Sequence, residues 1–144
     1  MPTFEDSLSQ VTAAIAALPA DAESFATLSD AELTGIPAGL AAARHQLEAR
    51  EARVAGEIAR RSSYELGYAG LAQKGGFRTP EKLVQHLTGT TSREAAKLVR
   101  TGGIIHEADL ITQAERTGEA SPELTTPWLA PVGRAVAAGT LSIE

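Results

Sequence analysis

The stretch from Thr79 to Arg100, TPEKLVQHLTGTTSREAAKLVR, constrains this chain most, because it spells two helices with their ends marked. Thr79 is a good N-cap, and Pro80 takes the first helical position, where its missing N–H costs nothing and its fixed φ suits the helix. The helix then runs through Leu83, Val84 and Leu87 to Gly89, which can adopt the left-handed conformation that closes a helix C-terminus. Thr91-Ser92-Arg93-Glu94 follows as a capping box, in which Thr91 and Glu94 satisfy otherwise unpaired N–H groups and open a second helix. Two helices joined by a glycine-bearing turn have the outline of a helix-turn-helix.

On the second helix, Arg93, Lys97 and Arg100 fall together on one face, while Ala95, Ala96, Leu98 and Val99 take the opposite side. This arrangement suits a recognition helix, which packs its apolar side on its partner helix and offers donors to phosphates or base edges. It equally suits an ordinary amphipathic helix with a solvated or partner-facing surface. Helix-turn-helix pairs generally hold a small residue four positions before the turn glycine and an apolar one just after it. Here those places are Gln85 and Thr90.

The net charge of −5 hides an asymmetry. Residues 1–43 hold six acids (Glu5, Asp6, Asp21, Glu23, Asp30, Glu32) and no Lys or Arg. The middle is basic, at +2 over residues 44–61 and +3 over 62–100, and residues 101–144 return to −4. A polyanion would therefore be met by residues 44–100, while the acidic total argues against strong non-specific binding.

Helices account for most of the remaining chain. Thr3 with Asp6 caps a first helix running to about Leu18, with Phe4, Leu8, Val11 and Ile15 at helical spacing and Pro19 as its stop. Ser29 and Glu32 form a capping box for a short turn ending near Gly35, and after Pro37 a long helix runs to about Arg61. On it Leu40, Leu47 and Val54 recur every seven residues, with Ile58 following, which predicts either packing within an antiparallel bundle or a dimer interface. Tyr64, Leu66, Tyr68 and Leu71 fall on a short helix or irregular segment, and Gly75-Gly76 marks a loop. Beyond Arg100 the helix continues past Gly102-Gly103, a pair that signals a kink or a close helix crossing, to about Thr117, with Gly118 ending it. Ser121-Pro122 and Thr126-Pro127 resemble helix starts, and a last helix spans Val132 to Ala138. Ser142 resembles an N-cap for a further helix, so the chain reads as a fragment of a longer protein. Alanine occurs 27 times and aromatic residues make up 4%, so the core is expected to be small-residue and aliphatic.

The expectation is an all-α, multi-helix bundle with a long central helix and a helix-turn-helix-like pair. It forms one domain over 1–144, with 1–28 an acidic helix and linker and 29–144 the core. No apolar run is long enough for a membrane span and the first twenty residues hold no Lys or Arg, so a cytoplasmic location is expected, with no membrane partner. There is no cysteine, and His45, His86 and His106 form no i,i+3 or i,i+4 pair, so no metal, cofactor or catalytic set is expected. His106-Glu107-x-Asp109 is the one local cluster with ligand chemistry, and it reads as a solvated polar face.

GFRTPEKLVQHLTGTTSREAAKLVRTGG, followed downstream by LAPVGRAVAAGTLS, resembles the helical domain of unknown function 222, found at the N-terminus of many actinobacterial HNH-endonuclease proteins. The family pattern places an apolar residue before a Thr-Gly-like turn, then an Arg-rich Ser-x-x-x-Ala helix, then Ala-x-Gly-x-Leu-Ser. Its counterparts here are Leu83 to Gly89, Ser92 to Arg100, and Ala137 to Ser142. The likeness covers roughly residues 29–144. It departs at Leu83-Val84, where the family has an aromatic-Leu pair, at Gly102-Gly103, and in an extra stretch from Tyr64 to Gly75. The resemblance implies a non-catalytic module whose HNH nuclease lies further toward the C-terminus, since a chain without Asn cannot supply that motif. It would position the nuclease on double-stranded DNA through phosphate contacts from Lys74, Arg78, Lys82, Arg93, Lys97 and Arg100. The competing expectation is a protein-interaction or homodimerisation domain using Leu40, Leu47, Val54 and Ile58.

Overall fold

Side-chain caps at Thr3, Asp21, Ser29, Thr79 and Thr91 open five helices of the computed structural model, which describes residues 1–120 and 122–143. The helices are α1 (Phe4–Ala16), α2 (Ala22–Ala26), α3 (Asp30–Arg60), α4 (Leu71–Lys74), α5 (Pro80–Thr88), α6 (Ser92–Thr117) and α7 (Ala130–Ala137). Short 3-10 segments at Tyr64–Ala69 and Pro127–Leu129 complete the set. No strand occurs among the described residues, and the architecture is an all-α, multi-helix bundle with a long central helix. Among the same residues no helix is long and apolar enough to cross a membrane.

Two units divide the chain, 1–40 and 41–144, with α3 contributing residues to each. The first unit holds no buried residue. Its α1 begins at a reciprocal capping box, Asp6 N–H donating to Thr3 Oγ1 (3.1 Å) and Thr3 N–H to Asp6 Oδ2 (2.9 Å), and leaves Phe4, Leu8 and Ile15 exposed.

The expected break at Pro37 does not occur. The Ser29–Glu32 box (Ser29 N–H to Glu32 Oε2, 2.9 Å) caps the whole of α3 rather than a separate short turn, and Pro37 sits inside the helix. Proline in a helix interior costs about 3 kcal/mol through one lost hydrogen bond and a ring clash. Here the capping box upstream and the many turns downstream hold the helix across that defect.

The second unit is built around a close crossing of α3 and α6. A Cβ placed on Gly102 would lie 2.0 Å from the Ala52 carbonyl oxygen and 2.8 Å from Gly56 Cα, so the two backbones touch and only glycine fits. Of the two readings of Gly102-Gly103, the crossing is the one realised, and α6 runs through it unbroken. Around it Ala52, Ala55, Val84, Ala95, Leu98, Ile105 and Val136 form the buried core. At the end of α3, buried Ser62 donates to the Ile58 carbonyl (2.7 Å) and accepts from Ala72 N–H (3.0 Å), and so stitches α4 to it. Gln46 of α3 donates to the Ala138 carbonyl (2.8 Å) and anchors the end of α7.

Consequently α3 packs through its alanines and Gly56, not through the heptad-like stripe. Leu47 and Val54 are 40% and 48% exposed, Leu40 is 54% exposed, and only Ile58 is half-buried against the core. The expectation that this stripe packs inside the bundle is corrected by the Gly56–Gly102 approach, which admits small side chains alone. At the C-terminal end, Thr126-Pro127 opens the 3-10 turn leading into α7, whereas Pro122 starts no helix. Ser121, and the Glu144 end of the helix start expected at Ser142, lie outside the described residues.

Candidate nucleic-acid interface

The helix pair from Thr79 to Arg100 forms as its caps dictate. Thr79 Oγ1 accepts from Lys82 N–H (3.3 Å), and Gly89 closes α5 at φ 69°, a left-handed conformation that a side chain would strain. Thr91 and Glu94 then form the reciprocal box that starts α6 (Glu94 N–H to Thr91 Oγ1, 3.2 Å; Thr91 N–H to Glu94 Oε2, 3.1 Å). Gln85, in the place where a small residue is usual, bridges the two helices by accepting from Ser92 Oγ (3.0 Å). Thr90, where an apolar residue is usual, donates to Glu94 (2.5 Å).

The first turns of α6 present two faces. Ala95 and Leu98 are buried, Ala96 and Val99 half-buried, and Arg93, Lys97 and Arg100 are exposed along one groove that Thr91, Glu94 and Ala96 also line. Farther along, Gly102, Ile105 and Ala108 are buried, so one helix carries a cationic surface at its start and core packing after it.

The six sequence-predicted cations, Lys74, Arg78, Lys82, Arg93, Lys97 and Arg100, are all exposed. Among the described residues none of the six enters an ion pair within 4.0 Å, and Lys82 makes one long contact to Gln85 (3.3 Å). Lys74 is on α4, Arg78 in the connector after it, Lys82 on α5 and the other three on α6, with α4 packed against α5 and α5 against α6. Glu94, which lines the same groove as the α6 cations, also serves the cap. Hydrogen bonds from the Thr90 hydroxyl and from Thr91, with the Lys97 charge assisting, hold its pKa down to about 2. Lys97 also lines a second cleft with Glu48, Glu51 and Glu94, so its charge is the most compensated of the six.

The arginines of α3 are used differently. Arg44 pairs with Glu48, Arg53 with Asp109 of α6, and Arg60 and Arg61 both with Glu57. Arg50 donates to Gln46 (2.8 Å). The polar cluster at the α6 crossing is likewise divided among structural duties. Asp109 holds Arg53, and Glu107 accepts from Thr125 N–H (2.9 Å) and Thr126 N–H (2.8 Å), tethering the segment before Pro127. His106 lines a small cleft with Arg53, Glu57 and Arg60. Sequence reasoning read that cluster as a solvated face and missed the tether, because its Thr partners lie one connector away in the chain.

Leu40, Leu47 and Val54 are exposed, while Ile58 joins the core edge and leaves the stripe shorter than the spacing suggested. Compared with known proteins, the chain matches no family model, no curated protein and no solved structure.

Proposed function

We propose that this chain is a non-catalytic helical module that holds double-stranded DNA by its phosphates, through Lys74, Arg78, Lys82, Arg93, Lys97 and Arg100, and so positions an attached HNH nuclease. One observation carries the reading. Among the described residues none of these six cations makes an ion pair within 4.0 Å, although Arg44, Arg53, Arg60 and Arg61 in the same chain all do. Unpaired, exposed guanidinium and ammonium groups on adjoining helices can exchange counterions for phosphates without first breaking internal bonds. The nuclease half of the proposal rests on the resemblance to domain of unknown function 222.

Mobility-shift titrations at low and moderate salt test it. The chain is expected to retard duplex DNA at low salt, and the Arg93→Ala/Lys97→Ala/Arg100→Ala variant to lose most of that binding. Failure of the unaltered chain to retard any duplex at low salt would reject the reading.

A second reading has its own observation. Leu47 and Val54 project from α3 at 40% and 48% exposure, and Leu40 at 54%, as an interface helix would leave them before a partner arrives. On that reading the chain is an interaction or homodimerisation domain. Light scattering across concentration decides it: a mass that rises with concentration, and falls back on Leu47→Glu, supports an interface there.

A further inference from the structure

Both tyrosines of the chain stand on the 3-10 segment, and each is 97% exposed. Gly67 between them adopts φ 50°, ψ −129°, a conformation that breaks the segment into two turns and that only glycine holds without strain. Leu66 and Leu71 beside them are also exposed, at 46% and 40%. The base of this projection is firmly held, with Leu71 N–H donating to the Arg61 carbonyl (2.7 Å) and Ser62 bonded on both sides. Two aromatic rings on a fixed base, stacked on no other ring among the described residues, are a costly surface to leave in water.

Charge selects the kind of ligand. From Arg60 to Lys82 the chain holds Arg60, Arg61, Lys74, Arg78 and Lys82 against Glu65 and Glu81. Arg60 and Arg61 are occupied by Glu57, which leaves Lys74, Arg78 and Lys82 against Glu65, on the segment itself, and Glu81, a balance of +1. The 3-10 segment packs on α4 and α4 on α5, the helices that carry Lys74 and Lys82. A strand of unpaired nucleotides brings a π-face and a phosphate at every step, which is the combination this edge offers to meet.

We infer that Tyr64 and Tyr68 are a stacking platform for unpaired bases, so that the nucleic acid preferred by this chain carries a single-stranded segment next to its duplex. The inference rests on the phosphate-binding reading above and adds a substrate class to it. Stacking on an aromatic side chain is worth about 1–3 kcal/mol per base, so the two rings together give a preference of roughly thirtyfold or more for tailed over blunt DNA.

The experiment compares a blunt duplex with the same duplex bearing a single-stranded tail, by fluorescence anisotropy at low salt, with 2-aminopurine at the first unpaired positions. The unaltered chain is expected to prefer the tailed DNA and to change the 2-aminopurine signal on binding. Tyr64→Ala/Tyr68→Ala is expected to abolish both effects and leave blunt-duplex affinity unchanged, whereas Tyr64→Phe/Tyr68→Phe, which keeps the rings, retains them. A tail preference that is absent, that survives the alanine changes, or that disappears together with blunt binding overturns the inference while leaving phosphate contact standing. Binding of neither DNA by the unaltered chain overturns both readings. Tail-independent capture by the tyrosines of an acidic protein instead of DNA would also contradict it.

Discussion

The arginines of α3 and the Lys and Arg residues from Lys74 to Arg100 are all exposed cations, yet they differ in what lies against them. On and just after α3 four of the five arginines have a carboxylate partner, and the fifth, Arg50, is held by Gln46. Glu48 follows Arg44 by four residues, Glu57 precedes Arg60 and Arg61 by three and four, and Asp109 comes to Arg53 across the helix crossing. At the start of α6, Glu94 is held by Thr90 and Thr91, while Glu48 and Glu51 share a cleft with Lys97 but form no ion pair with it within 4.0 Å among the described residues. A capping box fixes its carboxylate in place without removing the charge, so Glu94 makes no close ion pair with Arg93, Lys97 or Arg100 yet still acts on Lys97 at longer range. Whether a cation is structural or available is decided by what its neighbouring carboxylates are already doing.

The largest expected effect breaks the crossing that fixes both groups. Gly102→Ala sets a Cβ 2.0 Å from the Ala52 carbonyl and is expected to destabilise the second unit by about 3 kcal/mol or more, read as a fall in denaturant midpoint. Gly103→Ala, next to it with nothing within 4 Å, is expected to stabilise by about 0.5–1 kcal/mol through helix propensity. Opposite signs at adjacent glycines would confirm that the backbones touch at one and not the other, and equal signs would refute the crossing.

Next in size is Pro37→Ala, which restores a hydrogen bond within α3 and is expected to raise helical circular dichroism and stability by up to about 3 kcal/mol. No gain would mean that the helix is already broken there in solution. A smaller effect sharpens the contrast between the two cation groups. Breaking the exposed Arg53–Asp109 pair with Arg53→Ala should cost under about 1 kcal/mol, with a double-mutant cycle to Asp109→Ala giving the coupling. DNA affinity should not change with it.

The pH dependence of the α6 cap is the mildest test. Glu94 has its folded pKa depressed to about 2, so its contribution is complete above the unfolded value near 4.5 and is lost as pH falls from there through about 2. Glu94→Gln should flatten stability against pH over that window. An unchanged acid limb would show that Glu94 does not cap.

The sequence was most legible where structure is local. Thr3, Thr79, Thr91, Gly89 and Gly118 act on backbone groups within a few residues, and each ends or begins a helix where the residue types require. It was least legible where a distant partner chooses. The Leu40/Leu47/Val54 spacing suggested the buried side of α3, but the close approach of Gly102 selects Ala49, Ala52 and Gly56, and their small size at helical spacing was the available signal. Pro37 was misleading because its cost is local, whereas the helix that absorbs it is 31 residues long. Among the candidate site residues, the α6 cations followed from periodicity. Their lack of close ion pairs among the described residues could be seen only once Glu57, Asp109 and Glu94 had been placed.

The salt dependence of duplex binding tests the difference between the two cation groups most directly. The account predicts a linear fall of log affinity with log salt, and a slope reduced by about 3 in the Arg93→Ala/Lys97→Ala/Arg100→Ala variant, at roughly 0.9 for each phosphate that is no longer neutralised. Arg53→Ala/Arg60→Ala/Arg61→Ala should leave that slope as it was. Equal reductions of slope in the two variants, or a slope that responds only to the α3 arginines, would contradict it.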